Sequence, residues 1–154
     1  MLILQPEDLG KILLAMLLGG LLGAEREFRD KAAGFRTLIL ISVGACLFTL
    51  WSIHLGDPDD PTRIAANIVT GIGFLGAGVI LREGGRITGL TTAAMIWLSA
   101  ALGMGVGSGA IGLSVAATLS ILVVMWIFPL LEGAIDRMRE TRTYEITLPI
   151  SAHK

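Results

Sequence analysis

Four clusters of residues in this chain have types and spacing that could do chemistry. The first is Ala24-Glu25-Arg26-Glu27-Phe28-Arg29-Asp30, which closes an apolar run. Glu25 with Arg29, and Arg26 with Asp30, stand at i,i+4, where opposite charges pair across one helical turn and would carry a helix on into water. Glu25 and Arg26 can equally turn inward to build a polar site, because ionisable groups at hydrocarbon depth are costly and mark functional positions. The spacing leaves both readings open. The second cluster is Arg63, Asn67 and Thr70, one helical stripe at i, i+4 and i+7. Hydrogen bonding between helices is the commoner use of such residues, and Arg63 can also reach headgroups or nearby Asp residues. The third is Thr88-Gly89-Leu90-Thr91-Thr92, beside Arg82, Glu83 and Arg86. A helix N-terminus with neighbouring arginines can hold an anion, and N-capping by Thr91 accounts for the same residues. The fourth, Asp57, Asp59 and Asp60, offers the oxygen ligands that a hard cation such as magnesium takes. A short loop limited by Pro58 and Pro61 rarely folds its own cage, so these Asp residues remain weak metal candidates and solvation is the preferred reading; no metal site is expected.

Nothing in the sequence assembles a nucleophile, a base and an orienting acid. His54 and His153 are isolated, and the single cysteine, Cys46, excludes an intrachain disulfide. No catalytic residue, no cofactor and no enzyme activity are expected. Gly71-Ile72-Gly73-Phe74-Leu75-Gly76-Ala77-Gly78 matches the dinucleotide-binding pattern letter by letter, but that turn must follow a strand and open a helix. These glycines instead lie within an uncharged, membrane-length run.

The elements that must position these groups follow from the distribution of charge. The chain has 154 residues, 53% of them hydrophobic, with 12 Lys+Arg and 13 Asp+Glu, and its mean hydropathy is +0.75. It is free of charge from Thr37 to Gly56, from Ile64 to Leu81 and from Ile87 to Leu131. A bilayer core about 30 Å thick takes about 20 apolar helical residues, so the first two runs each read as one crossing and the third as two. A near-neutral total gives no nucleic-acid signature. The first apolar stretch, Leu9 to Ala24, lacks a basic n-region and a small-residue cleavage site, so it reads as a retained span rather than a signal peptide. The expected fold is therefore an all-α membrane bundle of about five transmembrane helices: Leu9–Ala24, Leu38–Leu55, Ile64–Leu81, Ala93–Val106 and Ala110–Leu131. Five crossings collect every Lys and Arg except Lys11 and Arg63 on one side. By the positive-inside rule that side is cytosolic, with the N-terminus outside and the C-terminus in the cytosol. Residues 1–131 form the transmembrane domain and 132–154 a cytosolic tail.

Twenty glycines are the other unusual quantity. Small residues four apart let membrane helices approach closely, and Gly19/Gly23, Gly73/Ala77, Gly103/Gly107 and Gly105/Gly109 have that spacing. Gly71, Gly73, Gly76, Gly78, Gly103 and Gly107 are accordingly expected to mediate helix packing. The lipid bilayer is the surrounding partner, and a homo-oligomer, first of all a dimer, is expected.

Several strings also carry a family resemblance: Gly20-Leu-Leu-Gly-Ala-Glu-Arg-Glu27, Ala33-Gly-Phe-Arg-Thr37, Arg63 through Ile80, and Gly89-Leu-Thr-Thr-Ala-Ala-Met-Ile-Trp97. Together they closely resemble the MgtC/SapB family of bacterial membrane proteins, from about Leu9 to Leu131. The resemblance implies a multi-pass protein of the bacterial cytoplasmic (inner) membrane, linked to growth under magnesium limitation and, in pathogens, to virulence. It implies action by modulating other membrane proteins rather than established magnesium transport. The family's motif positions fall here on Glu25, Arg26, Gly34, Arg36, Thr37, Arg63, Asn67, Gly71, Gly73, Gly76, Gly78, Gly89 and Thr92. With Thr91 added, the polar positions form the expected binding site: Glu25, Arg26, Arg36, Thr37, Arg63, Asn67, Thr91 and Thr92. The alternative is a carrier or channel for magnesium, protons or a small solute.

The chain departs from the family at two points. Thr91 stands where some virulence members have Asn. Longer members continue into a cytosolic domain resembling the ACT fold, whereas this chain ends soon after its last span. Tyr144, Ile146, Leu148 and Ile150 alternate with mostly polar neighbours, as the first strand of such a domain would.

Overall fold

The computed structural model describes residues 5–55, 63–83 and 85–139. They form five helices and one small hairpin: α1 (Pro6–Phe28), α2 (Phe35–Leu55), α3 (Arg63–Gly78), β1 (Leu81–Glu83), β2 (Arg86–Thr88), α4 (Leu90–Gly107) and α5 (Ile111–Arg139). The chain divides into two units, Met1–Leu122 and Val123–Lys154. The first holds α1 to α4 and the opening turns of α5; the second, where described, is the remainder of α5. This is the expected all-helical membrane architecture. α2, α4 and the Ile111–Gly133 part of α5 are long and apolar enough to cross a bilayer, and Ala65–Gly78 is a shorter apolar helix. The acidic loop with Asp57, Asp59 and Asp60, and the expected strand from Tyr144 to Ile150, lie outside the described residues.

Local sequence explains most of the helix ends. α1 starts at Pro6, earlier than Leu9, because proline needs no N–H donor in the first turn and its fixed φ suits a helix. Glu7 and Asp8 in that turn complement the positive end of the helix dipole. At its other end Lys31 N donates to Arg26 O at 3.0 Å and Asp30 N to Glu27 O at 3.1 Å, with Asp30 left-handed at φ 52°. This is a Schellman closure with Asp in the αL position, so the helix stops at Phe28 and Arg26 and Asp30 form no ion pair among the described residues. α4 closes in the same way. Ala110 N donates to Gly105 O at 2.8 Å and Gly109 N to Val106 O at 3.0 Å, while Gly109 sits at φ +87°.

The third element departs from the expected span, which ran to Leu81. The helix ends at Gly78, and the chain then turns into an antiparallel pair with Leu81 opposite Thr88, Arg82 opposite Ile87 and Glu83 opposite Arg86. Gly84-Gly85 is a two-residue hairpin signal, and Gly85 takes φ +86°.

Helices α1, α2 and α4 pack around a core of Ala15, Leu18, Cys46, Leu50 and Val106. Glycines set the spacing. A Cβ at Gly19 would lie 2.8 Å from Leu38 O, and one at Gly23 would lie 2.7 Å from Phe35 Cα, both on α2. Towards α4, a Cβ at Gly103 would collide with Ser42 O, and one at Gly107 would lie 2.8 Å from Cys46 O. α2 is thus clasped by two pairs of small residues at i,i+4. Hydroxyl groups fasten the same contacts: Ser42 Oγ donates to Ala15 O and Ser99 Oγ to Leu38 O, each at 2.8 Å.

The other expected packing glycines sit differently. Gly71, Gly73 and Gly78 have no neighbour within 4 Å of a built Cβ, and Gly76 meets only Ala93 at ordinary contact distance. Among the described residues, α3 does not use its glycines for close approach.

Candidate functional site

The C-terminal end of α1 carries a buried polar group. Glu25 and Arg26 are 5% and 3% exposed, and Thr92 is buried as well. Arg26 Nη2 donates to Thr92 Oγ1 at 2.7 Å and, at 3.5 Å, to Ala32 O. One guanidinium therefore joins α1, the α1–α2 loop and the first turn of α4. Glu25 Oε1 lies 2.7 Å from Arg29 Nε, the i,i+4 pair that the spacing allows. Even so, neither carboxylate oxygen of Glu25 accepts an aligned hydrogen bond, and Arg26 Nε donates none. Orphaned buried groups of this kind are costly.

The remaining polar candidates lie apart from this cluster. Arg36 and Thr37 are exposed on the first turn of α2. They line an open groove of about 710 Å³ together with Ala24, Glu27, Phe28, Gly34 and Phe35. Glu27 Oε2 accepts the Phe35 N–H at 3.1 Å and so caps α2. A Cβ at Gly34 would strike that carboxylate oxygen. Thr91 is exposed, facing away from the Arg26–Thr92 bond.

Arg63, Asn67 and Thr70 are all exposed on α3, and Asn67 Nδ2 donates back to Arg63 O at 3.1 Å. Arg63 and Asn67 stand at the opposite end of α3 from Thr92. Ala65 N donates to Ser52 Oγ, near the close of α2, at 3.3 Å, whereas Gly76 and Gly89 touch Ala93 and Val79 at the α3–α4 junction. The structure therefore brings Glu25, Arg26 and Thr92 together, keeps Arg36 and Thr37 on a groove at the start of α2, and leaves Arg63 and Asn67 a helix length away.

One further pair has no signal in the sequence. His54, isolated along the chain, lies with its Nε2 3.4 Å from Asp8 Oδ2 and links the start of α1 to the end of α2. Only the antiparallel register of the two helices brings these residues together, and no local spacing signals it. Among the described residues no group of three His, Cys, Asp or Glu side chains could hold a metal ion.

Residues 12–134 match the MgtC family. Protein MgtC of Salmonella typhimurium (strain LT2) is 49% identical over 141 residues, covering 92% of this chain and 56% of that protein. Protein MgtC of Brucella abortus (strain 2308) is 51% identical over 110 residues, covering 71% of this chain and 46% of that protein. The chain thus spans about half the length of the curated relatives it matches. No solved structure matches it. With the family's residues matched from the first helix into the last, the chain belongs to the MgtC family.

Proposed function

We propose that this chain is a nonenzymatic regulatory protein of the bacterial inner membrane that serves adaptation to low magnesium, and virulence in pathogens, by contact with other membrane proteins. In this reading the N-terminus is outside, the C-terminus is cytosolic, and residues 132–154 lead towards a cytosolic domain. One observation carries it: Arg63 stands at the start of α3, whereas Glu25 and Arg26 of α1 lie near its far end. A transport route needs its polar groups on one continuous wet path. Here Arg63 and Asn67 are exposed at one end of α3, while the Glu25 and Arg26 atoms near the other end are sealed from solvent. Family membership supports the magnesium context. A strain lacking the chain is expected to grow like its parent in millimolar magnesium and to fail in micromolar magnesium, with growth restored by the chain. Equal growth at both levels would count against the proposal.

A second reading rests on the orphaned atoms Glu25 Oε2 and Arg26 Nε. A carrier or channel for magnesium, protons or a small solute would expose them in another conformation. Reconstituted liposomes test it directly: flux above protein-free vesicles supports transport, and its absence for all three removes this reading.

A further inference from the structure

α3 faces the wrong way for a helix surrounded by lipid. Among its described side chains, the buried ones are Ala65, Ile72 and Gly76. At 100° per residue, Arg63, Asn67, Thr70, Phe74 and Gly78 all fall within about 40° of the opposite direction. That outward face includes the helix's polar residues, and Phe74 stands out from it at 83% exposure. Beside it, between α2 and α3, lies a crevice of about 540 Å³ whose walls include Leu40, Phe48, Asn67, Gly71 and Leu75. The α3 face thus presents an aromatic side chain that the described residues leave uncovered, next to an unfilled apolar crevice shared with α2.

We infer that a second copy of this chain covers this face, with α3 crossing α3, Phe74 of each copy entering the α2–α3 crevice of the other, and the two Asn67 side chains meeting near the crossing. In a two-fold interface the same patch serves both partners, so a projection and a matching hollow on one helix satisfy each other reciprocally. Asn carries both donors and an acceptor and can therefore pair with its own copy. The intrachain bond to Arg63 O uses one N–H, leaving the other N–H and the carbonyl oxygen for that pairing. Lipid tails offer Asn67 no hydrogen bond, whereas a second α3 does. The open space at Gly71 and Gly78 lets the two backbones approach. This inference goes beyond the regulatory reading and holds whichever process the protein controls.

Oxidative cross-linking in native membranes tests the inference. The parent chain, whose only cysteine is the buried Cys46, provides the baseline. Thr70→Cys and Gly78→Cys, both pointing away from the chain's own packing, should give covalent dimers several-fold above Leu113→Cys and Leu119→Cys, which are exposed on α5. In the Thr70→Cys background, Asn67→Leu should lower the dimer about threefold, the size of an average interhelical hydrogen bond in a membrane. Phe74→Ala should lower it about tenfold, as expected for an aromatic anchor. Equal cross-linking from α3 and α5, cross-linking of α3 to a different protein in place of a copy, or dimers indifferent to Phe74→Ala would overturn the inference.

Discussion

Arg26 holds its place through one side-chain partner on a distant helix, so Thr92 sets its environment. Replacing Thr92 by Val removes the acceptor at 2.7 Å and leaves a buried guanidinium short of a partner, a loss of about 1.5–3 kcal/mol for a hydrogen bond to a charged group. Thermal unfolding of the detergent-solubilised protein should show a clear drop for Thr92→Val and little change for Thr92→Ser. Equal midpoints for Val and the parent would show that the bond contributes nothing. Glu25 makes a complementary case. Arg29→Ala removes its ion-pair partner and strands a buried carboxylate, so it should destabilise more than Lys31→Ala, whose side chain is exposed. The sequence made Glu25 and Arg26 visible because charges at the edge of an apolar run stand out locally. The bond to Thr92, 66 positions away, and the pair formed by Asp8 and His54 depend on helix register, which no local pattern encodes.

Among the elements, close approach of α2 to α1 and α4 depends on small residues at defined positions. Gly103→Ala should force α4 away from the Ser42 carbonyl, a strain of about 1–3 kcal/mol. Gly10→Ala, in open space on α1, should leave stability unchanged or raise it, because alanine favours a helix interior by up to about 1 kcal/mol. Thermal midpoints of the two variants, measured side by side, check this contrast; a larger drop for Gly10→Ala would contradict it. The i,i+4 spacing that exposes Gly19/Gly23 and Gly103/Gly107 in the sequence also picks out Gly73/Ala77, yet Gly73 meets no neighbour among the described residues. Spacing marks a face on which a helix can approach another without saying which neighbour takes it. The hairpin after α3 was missed for a different reason. Its strands are three residues each, too short to show alternation, and they lie beside a run whose apolar character continues the helical pattern to Leu81.

For the whole molecule, α2 to α5 are legible because long gaps between charges are hard to explain in any other way, and α1 because its apolar stretch has neither a basic n-region nor a cleavage site. α2, α4 and α5 meet the length and apolarity of a crossing, and α3 is a shorter apolar helix. The segregation of Lys and Arg predicts that Gln5→Cys reacts with a membrane-impermeant maleimide applied to intact spheroplasts and that Arg82→Cys reacts only after lysis. The reverse pattern, or labelling of both before lysis, would contradict five crossings with the N-terminus outside. Regulation of the kind proposed requires contact with other membrane proteins. Photo-cross-linking in native membranes tests for that contact: a photo-reactive residue is placed at exposed positions of α5 such as Leu119 and Val123, and the adducts are identified from cells grown in low magnesium. At least one reproducible membrane protein other than the chain itself is expected, absent from controls without light. Adducts confined to lipid and to further copies of this chain would contradict it.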